Sequence, residues 1–139
     1  MSVKSDSFEI KTRGFGDILD ITDKVSKSVQ SSNFSSGMAL VFVPGSTAGI
    51  TTIEYESGVV EDLQKAFERQ APVDLHYEHD AKWGDGNGFS HVRASLMGAS
   101  FNVPFSNGHL LLGTWQQIIL CDFDNRPRTR QILVQIIGA

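Results

Sequence analysis

The sequence predicts one compact α+β domain with a mostly antiparallel, β-sandwich-like core and two helices. Three observations carry this reading: apolar residues recur at strand period near both ends, two stretches in the first half have helical spacing, and nothing resembles a repeat or linker. The 139 residues match the size of one domain, so residues 1–139 form a single unit.

The elements follow in chain order. Residues 7–13 set Phe8, Ile10 and Thr12 against polar neighbours, the alternation of a half-buried strand. A short helix starts near Thr22 with Asp23 in its first turn, where negative charge suits the helix dipole, and carries Ile21, Val25 and Val29 on one side. Met38–Val43 reads as a buried strand. The second helix is capped by Ser57, buries Val59, Val60, Leu63, Ala66 and Phe67, and stops at Pro72. Everything after Ser90 reads as strands, including His91–Met97 and Ser100–Pro104. Residues 109–123 exceed one ordinary strand and contain Gly113, which predicts a break or bulge. A turn at Asn125–Pro127 leads into a terminal strand rich in Ile and Val.

Composition narrows the function. A net charge of −4 argues against nucleic acid as a partner, and Arg126, Arg128 and Arg130 read as a solvated hairpin end. A single cysteine, Cys121, excludes an intramolecular disulfide and suits a reducing cytoplasm; inside the run Ile-Ile-Leu-Cys-Asp-Phe it reads as a buried structural thiol. The N-terminus shows no apolar signal region, and no run approaches the ~20 residues of a membrane helix. A cytoplasmic protein without membrane contact is expected.

The stretch His76–Arg93 is the expected functional centre, a site for a metal ion, a phosphate or both. His76, His79 and His91 fall close together with Glu78, Asp80 and Asp85, and imidazole with carboxylate is the donor set divalent ions take. Between them Gly84, Gly86 and Gly88 alternate with Asp85 and Asn87, which suits close backbone approach to an anion, although Asp-Gly and Asn-Gly are also plain turn dipeptides. Upstream, Pro44–Gly49 offers Ser46 and Thr47 to a phosphate but lacks the P-loop lysine. Glu54 is a general base or ligand, or else a strand-edge charge. Trp115, with Thr114 and Gln116, is suited to stacking on a flat ring, yet core packing at a bulge is the simpler reading of those residues.

Together these segments resemble the YjbQ-type family, also described as secondary thiamine-phosphate synthases. The resemblance spans about residues 8–138 and rests on Val43–Gly58, Tyr77–Gly98 and Asn107–Asp124, with its Gly-Thr-Trp-Gln segment and the spacing of His79 and His91. It implies a compact α+β homotrimer with a site near a subunit boundary. The implied catalytic residues are Glu54, Asp85 and His91. His79, Asp85 and His91 would hold a divalent metal, Mg or Zn, while His76 falls outside the family motif. A small phosphorylated metabolite would meet Ser46, Thr47, Gly86, Asn87, Arg93, Thr114, Trp115 and Gln116. Where many relatives carry histidine in a Pro-His-Thr-Thr-Ala loop, this chain has Pro44-Gly45-Ser46-Thr47-Ala48. The implied reaction joins a hydroxymethylpyrimidine diphosphate to a thiazole phosphate and releases pyrophosphate. The alternatives are a hydrolase using the same pocket, or a non-catalytic metal- or metabolite-binding trimer.

Overall fold

The computed structural model describes residues 1–139 and contains two antiparallel sheets and four helices. The elements are β1 (Ser2–Thr12), β2 (Asp17–Asp20), α1 (Thr22–Ser32), β3 (Ser36–Phe42), β4 (Ala48–Ile53), α2 (Ser57–Gln70), α3 (Glu78–Trp83), α4 (Gly88–Met97), β5 (Ser100–Ser106), β6 (His109–Leu110), β7 (Gln117–Asp122) and β8 (Arg128–Gly138). One sheet has the order β1-β8-β3-β5-β6, the other β2-β7-β4. The α+β class and the sandwich-like core are as the sequence predicts. Two further helices, α3 and α4, appear where a loop and a strand were expected.

The two sheets face each other across the main core. Val41, Val103, Ile132, Val134 and Ile136 come from the larger sheet and Ile50, Ile118 and Leu120 from the smaller, with Val25 and Val29 of α1 joining them. Strand β7 is buried on both faces: Ile118 and Leu120 face the other sheet, while Ile119 and Cys121, with Phe123 just beyond, face Phe67 of α2 and Ala94 of α4. That is why it reads as a continuous apolar run rather than an alternating one. Burial pushes the Cys121 thiol well above the ordinary cysteine range, with the charges of Asp17 and Asp122 adding to the shift, so it stays protonated and inert.

Three local expectations are corrected. The carboxylate of Glu56, not Ser57, caps α2, accepting from the backbone N–H of Gly58 at 2.8 Å and of Val59 at 2.5 Å. Residues 91–97 form most of α4, not a strand. Their side chains alternate by coincidence, but Phe89, Ser90, Arg93 and Ala94 are the buried set, the three-and-four spacing of a helix that begins at Gly88. The expected break at Gly113 is a loop, Leu111–Gln116, and Trp115 within it is 71% exposed rather than packed in the core.

A buried polar network closes one end of the sandwich. Arg130 of β8 donates from Nε to Asp122 Oδ2 and from Nη2 to Asp122 Oδ1, both at 2.8 Å, with the two side chains 4% and 0% exposed. Asp122 also accepts from the Thr12 hydroxyl at 2.6 Å and the Asp124 N–H at 3.1 Å. Arg130 Nη2 reaches Thr47 Oγ1 at 2.7 Å, and that hydroxyl donates to Asp124 at 3.3 Å. Asp124 further pairs with Arg128. The predicted solvated arginine cluster is therefore wrong for Arg130: the strand of Ile and Val that follows it points the guanidinium inward, at the same pleat position as Ile132.

Burial alone raises the Asp124 pKa, but hydrogen bonds from the Asn125 amide and the Asn87 side chain, with the ion pair to Arg128, outweigh it and hold the carboxyl below its ordinary 3.8. A group depressed on folding stabilises the fold above its unfolded pKa and loses that contribution as pH falls through its folded value. Acid denaturation of Asp124→Asn, followed by circular dichroism, should therefore lose less stability than wild type on titration from pH 4 downward, about pH 4 being the unfolded carboxyl value. Asp122→Ala, which strands the Arg130 charge, should cost about 3–5 kcal/mol at neutral pH.

Candidate functional site

Two loops and a helix converge on the Asp122–Arg130 end of the sandwich. There Gly45, Ser46, Thr47, Asp85, Asn87, His91, Asp124, Asn125, Arg126, Arg128 and Arg130 line an open cavity of about 460 Å³ with no hydrophobic residue among them. A second cavity of about 290 Å³ adjoins it, sharing Gly45, Ser46 and His91 and continuing along α4 past Ala94, Ser95 and Gly98. The pair reads as one cleft: a polar chamber, then a slot with small side chains as walls.

The glycine segment is built to present Asp85 and Asn87. Gly84 ends α3 in the left-handed region at φ 71°, where its N–H donates to Asp80 O at 2.8 Å. Gly88 opens α4 pressed against Tyr77, whose Cβ would lie 2.5 Å from any Cβ placed there. Two side-chain bonds tie this segment to the β7–β8 turn: Asn125 Nδ2 donates to Asp85 O at 2.9 Å, and Asn87 Nδ2 to Asp124 Oδ1 at 3.3 Å. Ser90 Oγ donates to Phe123 O and anchors the first turn of α4.

Carboxylates and arginines both line the chamber. Asp85 of its wall belongs to a cluster in which the ligand atoms of His79, Asp80 and Asp85 lie within 4.8 Å of one another. His79 Nδ1 is 3.2 Å from Asp85 Oδ1 but off the line a hydrogen bond needs, so this buried nitrogen has no hydrogen bond, and neither does the buried Asn87 Oδ1. Three arginines, Arg126, Arg128 and Arg130, line the same chamber. Asp122 neutralises Arg130 and Asp124 neutralises Arg128, which leaves Arg126 without an ion pair. The His79 and His91 rings are 4.4 Å apart and inclined at 36°.

The expected site residues divide into three groups. His79, Asp85, Asn87, His91, Ser46 and Thr47 come together as expected, joined by Asp80. His91 contributes its ring beside His79, and the ligand atoms that converge are those of His79, Asp80 and Asp85. Gly86 sits at φ 69°, 3.7 Å from Asn125 Nδ2 measured from a notional Cβ, and shapes the rim. The Thr47 hydroxyl is occupied on both sides by Arg130 and Asp124, so it positions those groups.

Arg93 is turned away. It lies one helical face from His91, donates to Ala71 O at 3.0 Å and to Glu68 at 2.8 Å, and lines a different cavity. Glu54, Thr114, Trp115 and Gln116 are remote within one chain. Strand β4 meets the chamber at Thr47–Ala48, whereas Glu54 follows its other end and Gln116 Nε2 donates there to Thr52 at 3.1 Å, roughly 15 Å away at 3.3 Å per residue. His76 pairs with Glu78 on the open surface.

Sequence reasoning placed Asp80 beside the histidines but missed Asp122, Asp124, Arg126 and Arg128 as members of this constellation. Their one linear signal was the density of charge in Asp122–Arg130 directly after a fully buried strand.

The chain matches the family model described as UPF0047 protein YjbQ-like over residues 6–139. A UPF0047 protein of Archaeoglobus fulgidus is 38% identical, the match covering 92% of this chain and 97% of that one. The UPF0047 protein YugU of Bacillus subtilis is 37% identical over 95% and 98%. Among solved structures, a YbjQ-like protein of unknown function from Sulfolobus solfataricus superposes with a TM-score of 0.89 at 31% identity, covering 99% and 100% of the two chains. An uncharacterized protein of the same family from Clostridium acetobutylicum gives 0.87 at 39% identity over 95% and 99%. With this fold and this extent of similarity, the chain belongs to the YjbQ-like UPF0047 family.

Proposed function

We propose that the cleft binds a phosphorylated metabolite together with a divalent cation, and that the protein acts as a thiamine-phosphate-synthase-type transferase. The observation that carries this reading is the meeting of two charged groups at one chamber: Asp85, clustered with His79 and Asp80, and the unpaired Arg126 with Arg128. An isolated cation or an isolated anion needs only one of these groups. A metal–phosphate pair needs both.

The donor set fits a divalent ion, since nitrogen and carboxylate oxygens converge and two buried polar atoms lack partners. Bound by His79, Asp80 and Asp85, a Mg²⁺ or Zn²⁺ would add positive charge against the diphosphate. Arg126 and Arg128 hold the diphosphate oxygens. His91 is the titratable group common to chamber and slot, within reach of the bond between them. The slot beside Ala48, Ala94 and Gly98 receives the flat pyrimidine. In the transfer, the thiazole nitrogen attacks the pyrimidine methylene, the methylene–oxygen bond breaks, and pyrophosphate leaves with the electron pair. Developing charge on that oxygen is met by Arg126, Arg128 and His91.

A homotrimer accounts for the remaining residues. No helix packs on the outer face of the larger sheet, where Met38, Phe42, Leu133 and Ile137 are each 38–46% exposed. Paired positions Met38–Ile137 and Phe42–Leu133 make that face continuous. Association through it, or along the exposed Trp115 loop, lets one subunit's Glu54, Thr114, Trp115 and Gln116 approach a neighbour's chamber.

Purified protein with Mg²⁺, hydroxymethylpyrimidine diphosphate and thiazole phosphate should form thiamine phosphate. Asp85→Ala and His91→Ala should each lower the rate by at least about 10²-fold, and Arg126→Ala should raise KM for the diphosphate about tenfold. Unchanged rates in the Asp85 and His91 variants would refute the assignment; tight metal and phosphate binding without turnover would identify a non-catalytic binder.

Light scattering should give three chain masses for the wild type, and Leu133→Glu should reduce this to one, 15.3 kDa. Inactive Glu54→Ala and inactive His91→Ala should regain activity when mixed as hybrid trimers. Mixtures that stay inactive count against a site shared between subunits.

A further inference from the structure

On the far side of α4 from His91 lies a third cavity, of about 270 Å³, which shares no residue with the cleft. Its walls are the rings of Phe15, Phe67 and Phe89 with Val73, and its polar groups are Gln64, Glu68 and Arg93. We infer that this cavity is a second ligand site, which takes a small uncharged aromatic molecule bearing a hydrogen-bond acceptor.

Arg93 supplies the polar anchor. The residue is 7% exposed, and its guanidinium lies 4.9 Å from the Phe89 ring centroid. Nε is used by Ala71 O and Nη2 by Glu68, but Nη1 makes no hydrogen bond within the chain. It is not among the fully enclosed unpaired atoms, so it keeps access to solvent, and Arg93 is one of the residues lining the cavity. A guanidinium N–H with no partner inside the chain, on a residue that lines an apolar cavity, is free to donate to a ligand acceptor.

Charge selects the class of that acceptor. Glu68 already neutralises Arg93 and is itself held in place by the Val73 N–H at 3.3 Å. A ligand carboxylate would place a second anion beside Glu68, whereas a carbonyl or hydroxyl oxygen satisfies Nη1 without that repulsion. The three phenylalanine rings favour an aromatic body. The volume lies just below the ~300 Å³ at which drug-sized pockets begin, so a single substituted ring fits.

The rim is strained and pinned by hydrogen bonds. Phe15 has φ 55°, left-handed for a residue with a bulky side chain, and is 66% exposed. The turn is pinned by Phe15 N–H to Asp124 O at 2.7 Å and Gly16 N–H to Asp122 O at 2.8 Å, and Gln64 Nε2 donates to Gly16 O at 3.1 Å. Holding an exposed aromatic ring in an unfavourable backbone region over an apolar cavity is a fold-level cost that packing within the chain does not explain.

The test is a titration of the ¹⁵N-labelled full chain with benzamide, read by amide chemical shifts, with benzoate and cyclohexanecarboxamide as controls. Benzamide should give saturable shifts at Phe15, Gly16, Gln64 and Phe89 with a dissociation constant on the order of 1 mM or below, as a one-ring ligand allows. Both controls should bind at least about fivefold more weakly, because one adds charge and the other loses the ring. Val73→Trp, at an exposed wall position, should abolish the shifts, and Phe15→Ala should weaken them while leaving the spectrum dispersed. No saturable shift with benzamide, tighter binding of benzoate, shifts that persist in both variants, or shifts confined to the Ser46–His91 cleft would each overturn the inference.

Discussion

The Asp122–Arg130 pair sits at the origin of nearly everything the cleft needs. Two opposite charges removed from water are tolerable only when their lone pairs and protons are satisfied, and here they are. Asp122 accepts four hydrogen bonds, from Thr12, Asp124 and two guanidinium nitrogens. Replacing such a pair with well-packed apolar residues is often neutral or stabilising, so its importance is in orientation rather than in net stability. It fixes where the end of β8 stands against the end of β7. It then aims Thr47 at Asp124, and Asp124 at Arg128 and Asn87.

That chain of contacts sorts the arginines into separate roles. Arg130 is consumed inside, Arg128 is half-consumed by Asp124, and Arg126 alone stays unpaired at the rim. The acidic group is fixed independently, by the short α3 helix and the glycine turn, then clamped to the basic group by Asn125 and Asn87. The two groups are therefore joined through the connection between β7 and β8, which crosses from one sheet to the other.

Much of this was legible in the chain. Helices α1 and α2, strand β3, the break near Gly113 and the single α+β domain all follow from periodicity and turn chemistry, and the pairing of His79 with His91 follows from residue type and family resemblance. The failures have physical causes. Helix α4 was hidden because Val92, Ala94 and Leu96 mimic strand alternation, while its true buried stripe includes Arg93, a residue no hydrophobic pattern marks as internal. The arginine cluster was misread because charge in a turn normally faces water, and only the partner carboxylates, brought from β7, reverse that. Trp115 was placed in a core by its neighbours' apolarity, although the two-residue β6 ends before it and leaves it on a surface loop.

The features with no role inside one chain lie away from the chamber. Trp115 and Glu54 stand at the far end of β4 and β7, and Met38, Phe42, Leu133 and Ile137 cover the outer face of the larger sheet. A contiguous apolar face rimmed by polar positions such as Ser7 and Asn102 is costly to leave in water, and a surface tryptophan adds to that cost. In the proposed trimer, closed rotational symmetry would resolve both at once, covering that face on each copy and bringing the far end of one β4 toward another's chamber. Under the trimeric reading, the polarity of the chamber is then no defect. A chamber with no hydrophobic residue of its own, beside a slot walled by small side chains, suits a site to which the neighbouring subunit adds an aromatic surface.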